Sequence, residues 1–399
     1  MIERSTYIDI LEKWRDKKVI KVVTGIRRCG KSSLMKMFRE KISKELGISD
    51  NQIQEYNFED LDNEQYLTDY KALYSTVREK LRSDTMNYLF FDEIQNVDNF
   101  QKVINSIFLQ DNVDIYITGS NAYLLSGEIA TLLTGRYIEI KLYPLSFKEY
   151  ISALPSPQNL ESEYRKYIET GAFPYILQIN QDAEMVHEYL LGLYNTIVLK
   201  DVISRKKITD VMMLQSIVRF LADNIGNISV IKRISDAMTS SGRKISANTV
   251  ENYIWALVDS FIFYPVQRYD AKGKTLLKTG QKLYLADIGL RQVINGMKTG
   301  DTGHILENIV YLELARRGGE IYVGKAGDAE INFIVINGNL KSYYQVSLSV
   351  RDESTLRREL APLISVKDSY PKYLLTLDND PITYHNGIKQ QYALDWLLE

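Results

Sequence analysis

Val19-Ile20-Lys21-Val22-Val23-Thr24-Gly25-Ile26-Arg27-Arg28-Cys29-Gly30-Lys31-Ser32 is the stretch whose reading decides the fold. Residues 19–24 are short, β-branched and followed by Gly, which reads as a buried strand. From Ser32 to Ile42 the spacing turns helical. Between them the pattern Gly-x4-Gly-Lys-Ser is met at Gly25, Gly30, Lys31 and Ser32. Its physics is specific: the glycines let backbone N–H groups turn toward phosphates, and the positive end of the following helix points at them. Lys31 is placed to reach the β and γ phosphates, and Ser32 to offer its hydroxyl to Mg²⁺. The expected ligand is ATP with Mg²⁺. Its contacts are expected from Gly25, Ile26, Arg27, Arg28, Cys29, Gly30, Lys31, Ser32 and Ser33.

Working outward, a buried apolar strand, Tyr88-Leu89-Phe90-Phe91, ends in Asp92-Glu93. Asp92 is expected to orient the Mg²⁺ shell with Ser32, and Glu93 to polarise the attacking water. A small-molecule kinase would not need such a base. Ile115-Tyr116-Ile117-Thr118 is another strand candidate, and Gly119-Ser120-Asn121 follows it. A polar side chain there lies between the two motifs, so either Ser120 or Asn121 is a candidate contact for the γ-phosphate or the water. Arg136 precedes the strand candidate Tyr137–Leu142. An arginine there can stabilise transition-state charge on a neighbouring subunit's nucleotide; the alternative is a surface salt bridge. Arg27 or Arg28 can contact phosphate or pair with Glu59 or Asp60. Cys29 fills a free position and is assigned no chemistry.

Strands alternating with helical stretches over 1–150, with a further strand candidate at Ile53–Phe58, predict an α/β fold with a doubly wound parallel sheet. Residues 151–227 read as mostly helical and form an expected lid. The order helix (Val230 to Met238), turn, helix (Ala247 to Ser260), strand, basic loop, strand over 228–295 is that of a winged helix. The remaining residues, 296–399, read as helix (Ile305 to Arg317), three strands, helix and strand. Composition adds limits. The chain has 399 residues with 49 Lys+Arg against 51 Asp+Glu, so no global basic field advertises nucleic acid. One cysteine excludes an intramolecular disulfide, and no apolar signal core or membrane-spanning run is present, so a cytoplasmic protein is expected.

Several of these runs, Thr24–Ser32, Asn57-Phe58-Glu59-Asp60, Phe91-Asp92-Glu93-Ile94-Gln95, Ile117–Asn121, Leu133-Thr134-Gly135-Arg136 and Pro144-Leu145-Ser146-Phe147, together resemble a prokaryotic AAA-type (AAA+) ATPase. The branch it resembles carries a C-terminal domain of unknown function. Gly171-Ala172-Phe173-Pro174, Lys200-Asp201-Val202 and Tyr284-Leu285-Ala286-Asp287-Ile288-Gly289-Leu290 fit that branch, and the resemblance covers nearly the whole chain. It implies a P-loop ATPase core, a helical lid, a winged helix and a restriction-endonuclease-like module. It also implies that Arg136 is the arginine finger and that a sensor ends the fourth strand, hence a homo-oligomer.

The endonuclease fold needs an acid on its first helix, an Asp on the next strand and Glu-x-Lys on the one after, to hold metals that activate water. Glu307 or Glu313 can supply the first. Asn332 stands where Asp is expected, and Gln345 and Ser347 replace Glu and Lys. Amides and a hydroxyl carry no charge to hold divalent ions, although Asp328 and Glu330 lie nearby, so this module is expected to be degenerate and not a nuclease. Residues 228–280 hold eight basic side chains against four acidic ones. Ser246 suits an N-cap for the second helix, which presents Asn248, Thr249 and Asn252. With Lys244, Lys272 and Lys274 these are the candidate DNA contacts. Three functions compete: an ATP hydrolase acting on DNA, an ATP-gated adaptor with slow turnover and a protein partner, and a sequence-specific DNA regulator.

Overall fold

The computed structural model describes residues 2–122, 135–157, 159–179, 182–204, 206, 208–296 and 302–399. Leu133 and Thr134 lie outside these, as do the side chains of Lys200 and Lys278. Two compact units divide the chain: Met1–Tyr143 with Asp259–Phe261, and Pro144–Val258 with Ile262–Glu399.

In the first unit, β1 (Ile20–Thr24), β2 (Ile53–Asn57), β3 (Asn87–Asp92), β4 (Val113–Gly119) and β5 (Tyr137–Lys141) form one parallel sheet in the order β2-β3-β4-β1-β5. β1 and β4 are buried along their whole length, which explains their near-continuous apolar sequence. Ahead of the sheet lies α1 (Ser5–Trp14), and α2 (Lys31–Leu46) follows β1. α3 (Gln65–Thr68), α4 (Tyr70–Glu79) and α5 (Phe100–Phe108) complete the described helices. Leu73 and Val77 of α4 and Val103, Ile104 and Ile107 of α5 pack on Leu89, Phe91, Ile115 and Ile117 of the sheet. The fold is the α/β parallel sheet of the P-loop class that the sequence predicts.

β4 inserts between β1 and β3, so the ends of all three strands meet at one edge. The opposite edge is fixed by a buried ion pair, Lys21 with Asp114, whose carboxylate also accepts from the Tyr116 hydroxyl and from the backbone N–H of Asp16.

The second unit begins with α6 (Phe147–Ala153), α7 (Leu160–Thr170), α8 (Ala183–Thr196), a π-helical stretch at Ile197–Ser204, and α9 (Val211–Asp223). Next come β6 (Ile228–Ser229), α10 (Ile231–Ser240), α11 (Ala247–Asp259), β7 (Phe263–Asp270), β8 (Thr275–Leu285) and α12 (Ile288–Asn295). Then follow α13 (Thr302–Arg317), β9 (Glu320–Ala326), β10 (Ala329–Asn337), β11 (Leu340–Ser347), α14 (Glu353–Ser365) and β12 (Lys372–Thr376). β13 (Thr383–His385), β14 (Ile388–Tyr392) and α15 (Ala393–Leu398) end the chain. All nine strands belong to one sheet, ordered β13-β14-β12-β11-β10-β9-β7-β8-β6.

Here the structure differs from the sequence expectation. The segment expected as a basic loop between short strands is mostly strand, and only residues 271–274 turn. The Asp270 carboxylate accepts from the N–H groups of Lys272 and Gly273 at 3.0 Å each, and Lys274 sits at φ +52°. Polar residues hide the strands in the sequence. Their backbones nevertheless pair with each other along the hairpin, while β9 joins β7 only at Arg268–Asp270 and β6 joins β8 only at Gln281 and Lys282. β13, β14 and α15 have no counterpart in the sequence expectation. Among the described residues, no helix is long and apolar enough to cross a membrane.

Candidate functional site

Because β1 and α2 are joined by a loop that must turn tightly, its glycines are obligatory. Gly25 sits at φ +152°, and a Cβ there would lie 2.1 Å from the carbonyl oxygen of Leu142. Gly30, left-handed at φ +106°, ends the loop as the N-cap of α2. From behind, the loop is held by Arg4, a buried residue whose guanidinium donates to the carbonyls of Cys29 (3.3 Å) and Tyr143 (2.8 Å). Nothing in the sequence pattern marks Arg4. Ile26 and Cys29 are buried, and burial pushes the Cys29 thiol up from its ordinary value.

Lys31 is buried and donates to the carbonyl of Gly25 at 3.2 Å; its Nζ lies 3.3 Å from Glu93 Oε1. Glu93, in the left-handed region at φ +52°, also accepts from the Ser120 hydroxyl at 3.0 Å and from the Gln95 amide. Burial alone would raise the Glu93 carboxyl, but the Lys31 ammonium and these hydrogen bonds outweigh it and hold it below its usual range. Burial likewise pulls on Lys31, and the Glu93 carboxylate more than reverses it, so its ammonium is raised. The pair is ionised through the neutral range.

Thr118 is the hinge of the arrangement. Its hydroxyl donates to Asp92 Oδ1 and accepts from the Glu93 N–H at 2.9 Å. Sequence position points to Ser120 and Asn121 and not to Thr118. Both of those are buried; the hydroxyl of Ser120 reaches the Glu93 carboxylate. Asp92 is raised, first by burial, although hydrogen bonds from Ser32 and Thr118 oppose that. Ser32 and Ser33 are exposed at the start of α2. A hydroxyl beside a desolvated carboxylate is a donor set that fits a small, hard, partly hydrated divalent ion. Ser32 and Asp92 would hold it.

The two loop arginines part company. Arg27 pairs with Glu59, Nη2 to Oε1 2.7 Å, whereas Arg28 is exposed at φ +65°. Arg136 lies elsewhere. Ile20 opposes Tyr137, and the N–H of Ile20 donates to the carbonyl of Arg136 at 2.7 Å. That is the start of β1, a strand length of roughly 15 Å from the loop at its end. There the Arg136 guanidinium reaches Asn105 Oδ1 at 3.2 Å and lies over the Phe108 ring.

In the second unit, Glu307 on α13 is buried and accepts from Lys282 (2.9 Å), Tyr284 (2.6 Å) and Asn332 (2.8 Å). Lys282 also pairs with Glu330 at 2.6 Å. Gln345 joins through the N–H of Asn332 and the Glu359 carboxylate. Glu313 is engaged apart from this group, with Arg316 and Arg317, and Asp328 is exposed. Ser347 donates to the carbonyl of Ser349. An internal ammonium thus sits between Glu307 and Glu330, two of the four carboxylates that the sequence offers as metal ligands. No group of three or more His, Cys, Asp and Glu side chains that could hold a metal ion occurs among the described residues.

On the candidate DNA face, Lys244, Asn248, Asn252, Lys272 and Lys274 are exposed. Thr249 is half-buried, and its N–H and hydroxyl engage the capping Ser246 oxygen at 3.1 and 2.8 Å. Thr249 therefore serves the helix start.

Residues 17–151 match the AAA domain, and residues 161–301 match a domain of unknown function. An uncharacterised protein of Haemophilus influenzae is 38% identical, covering 100% of this chain and 99% of its own. One from Methanocaldococcus jannaschii is 30% identical, over 94% of this chain and 84% of its own. Among solved structures, the Walker-type ATPase of Pyrococcus abyssi is 15% identical, with 74% of this chain and 96% of that one covered and a TM-score of 0.47. The ORC1 protein of Aeropyrum pernix, solved in complex with DNA, is 12% identical over 74% and 92%, with a TM-score of 0.31. With an end-to-end relative at 38% identity and this domain match, the chain belongs to a family of AAA-domain, ATPase-type proteins.

Proposed function

We propose that the protein binds ATP with Mg²⁺ at the loop Gly25–Ser33 and hydrolyses it, with Glu93 as the base that orients and polarises the attacking water. One observation carries this reading: Lys31, Glu93, Ser120, Thr118 and Asp92 converge in a single hydrogen-bonded group where β1, β3 and β4 end. Mg²⁺ would supply charge neutralisation between the phosphates, held by Ser32 and Asp92. The chain's own residues do the rest. Backbone N–H groups of the loop take the phosphates, Lys31 exchanges Glu93 for phosphate oxygens, and Glu93, so released, takes the water. Steady phosphate release should vanish in Lys31→Ala and collapse by about 100-fold or more in Glu93→Gln. Normal turnover in Glu93→Gln would remove the base from this assignment.

A second reading, an ATP-gated adaptor with slow turnover acting through a protein partner, is favoured by a specific feature. Glu93 is tied by Lys31, Ser120 and Gln95, and Arg136 is at the far edge of its own sheet. A site so restrained and lacking its arginine would turn over slowly until another subunit or partner completed it. We further assign residues 228–295 to a winged helix with DNA as its ligand, and 296–399 to an endonuclease-like fold without cleavage activity. Lys282, filling the space between Glu307 and Glu330, supports the second assignment.

A further inference from the structure

α11 carries an aromatic residue, Trp255, that the DNA reading does not use. Asn248, Asn252 and Trp255 follow one another at i, i+4 and i+7, so they share a helix face, and Trp255 is 46% exposed. Trp255 does not stand alone: it and Leu276, each about half exposed, line the same groove, which makes a shared apolar patch rather than a single scattered side chain. Trp255 forms one wall of this groove, of about 510 Å³, between α11 and the β7–β8 hairpin, with Leu276 (51% exposed), Gln267 and Gln281 among its opposing wall. Lys232 lies on its rim; Arg233, Lys244, Lys272 and Lys274, outside it, are also exposed.

We propose that this groove binds single-stranded DNA, with an unpaired base stacked on Trp255 and the phosphates drawn along the basic side at Lys232. The inference rests on the DNA-binding reading of this domain and specifies its substrate. Two observations favour a single strand over a duplex. The surface is a concave slot, whereas duplex grooves are entered by convex elements. An aromatic wall with a cation lining the same slot, here Trp255 and Lys232, is the arrangement that holds splayed bases and their backbone. Glu251 is the single carboxylate among the lining residues. It repels phosphate and accepts from an exocyclic amine, which orients bases toward it and backbone away.

The full-length protein is titrated with a mixed-sequence single strand and with the duplex it forms with its complement. The single strand should bind more tightly and should protect Trp255 from iodide quenching. Trp255 dominates that signal, because Trp396 is buried and Trp14 half-buried. Trp255→Ala should lose about tenfold in affinity for the single strand and little for the duplex, and Trp255→Phe should keep most of it. Quenching in the wild-type protein needs no variant to fold. If the duplex binds equally well and Trp255 stays open to iodide, the stacking proposal falls while the DNA reading stands. Stacking is likewise overturned if Trp255→Ala leaves DNA affinity unchanged, and the groove then belongs to an apolar peptide. No salt-sensitive binding to either form removes both.

Discussion

Thr118 shows what a single residue does here that spacing could not reveal. The Gly-x4-Gly-Lys-Ser loop and Asp92-Glu93 were legible because their chemistry needs those residue types at those places. Thr118 looks like an ordinary β-branched strand residue. Its hydroxyl joins the two acids: it donates a hydrogen bond to Asp92 and accepts one from the N–H of Glu93, whose left-handed backbone would otherwise leave that donor buried and unmatched. Thr118→Val keeps the shape and removes both bonds. We expect a loss of about 1–3 kcal/mol in stability, with turnover reduced by about tenfold or more because Glu93 loses its aim. A denaturant titration with a phosphate-release assay reads both, and a variant with wild-type values in each would show that Thr118 merely fills strand β4. Arg4 is invisible in the sequence for the opposite reason. Its partners are backbone carbonyls at Cys29 and Tyr143, which leave no trace in the residue pattern.

Elements add contacts between segments far apart in the chain. Gly171-Ala172-Phe173-Pro174 and Ala286-Asp287-Ile288-Gly289 are readable in the sequence only as separate runs, yet they touch. The Asp287 carboxylate accepts from the N–H of Ala172 at 2.6 Å and caps α12 through Leu290, and a Cβ at Gly171 would lie 2.4 Å from it. Burial pushes the Asp287 carboxyl up to about 6, above its ordinary value of 3.8, despite these N–H donors. A group raised in the folded state favours folding when protonated. Its contribution is full below the ordinary value and is lost as pH rises through about 6. The stability difference between wild type and Asp287→Asn should therefore fall by up to about 3 kcal/mol as pH goes from 4 to 7. Chemical denaturation at several pH values measures it, and a pH-independent difference would refute the linkage. Lys282 makes the same point for the hairpin. Lys282→Met leaves the Glu307 and Glu330 carboxylates without their shared cation, which should cost about 3–5 kcal/mol in a urea titration. Lys282→Arg should recover part of the loss. A neutral outcome for Lys282→Met would show that the ammonium is not needed between them. The full length of β7 and β8 is hidden in the sequence, because the two strands hold each other by backbone pairing out to Asp270 and Thr275, where the residues carry no apolar alternation.

At the scale of the whole molecule, the position of Arg136 turns a sequence expectation into a geometric one. The parallel register of β5 on β1 puts Arg136 beside Ile20, while the nucleotide loop follows Thr24 at the other end of the same strand. An arginine side chain cannot cover a separation of roughly 15 Å along the strands, so Arg136 cannot serve the loop of its own chain. If it stabilises transition-state charge, it does so for another copy. Arg136→Ala should then retain ATP affinity and lose turnover by about 10³-fold. Lys31→Ala should lose turnover too, since it cannot engage the phosphates. A mixture of the two inactive variants tests the geometry directly. Where copies alternate, a chain with intact Lys31 receives the intact Arg136 of its neighbour, and phosphate release should reappear in proportion to mixed interfaces. Activity that stays absent in the mixture, with both variants folded and associating, would leave Arg136 to its contacts with Asn105 and Phe108. Full turnover by Arg136→Ala alone would do the same and would return catalysis to the single chain.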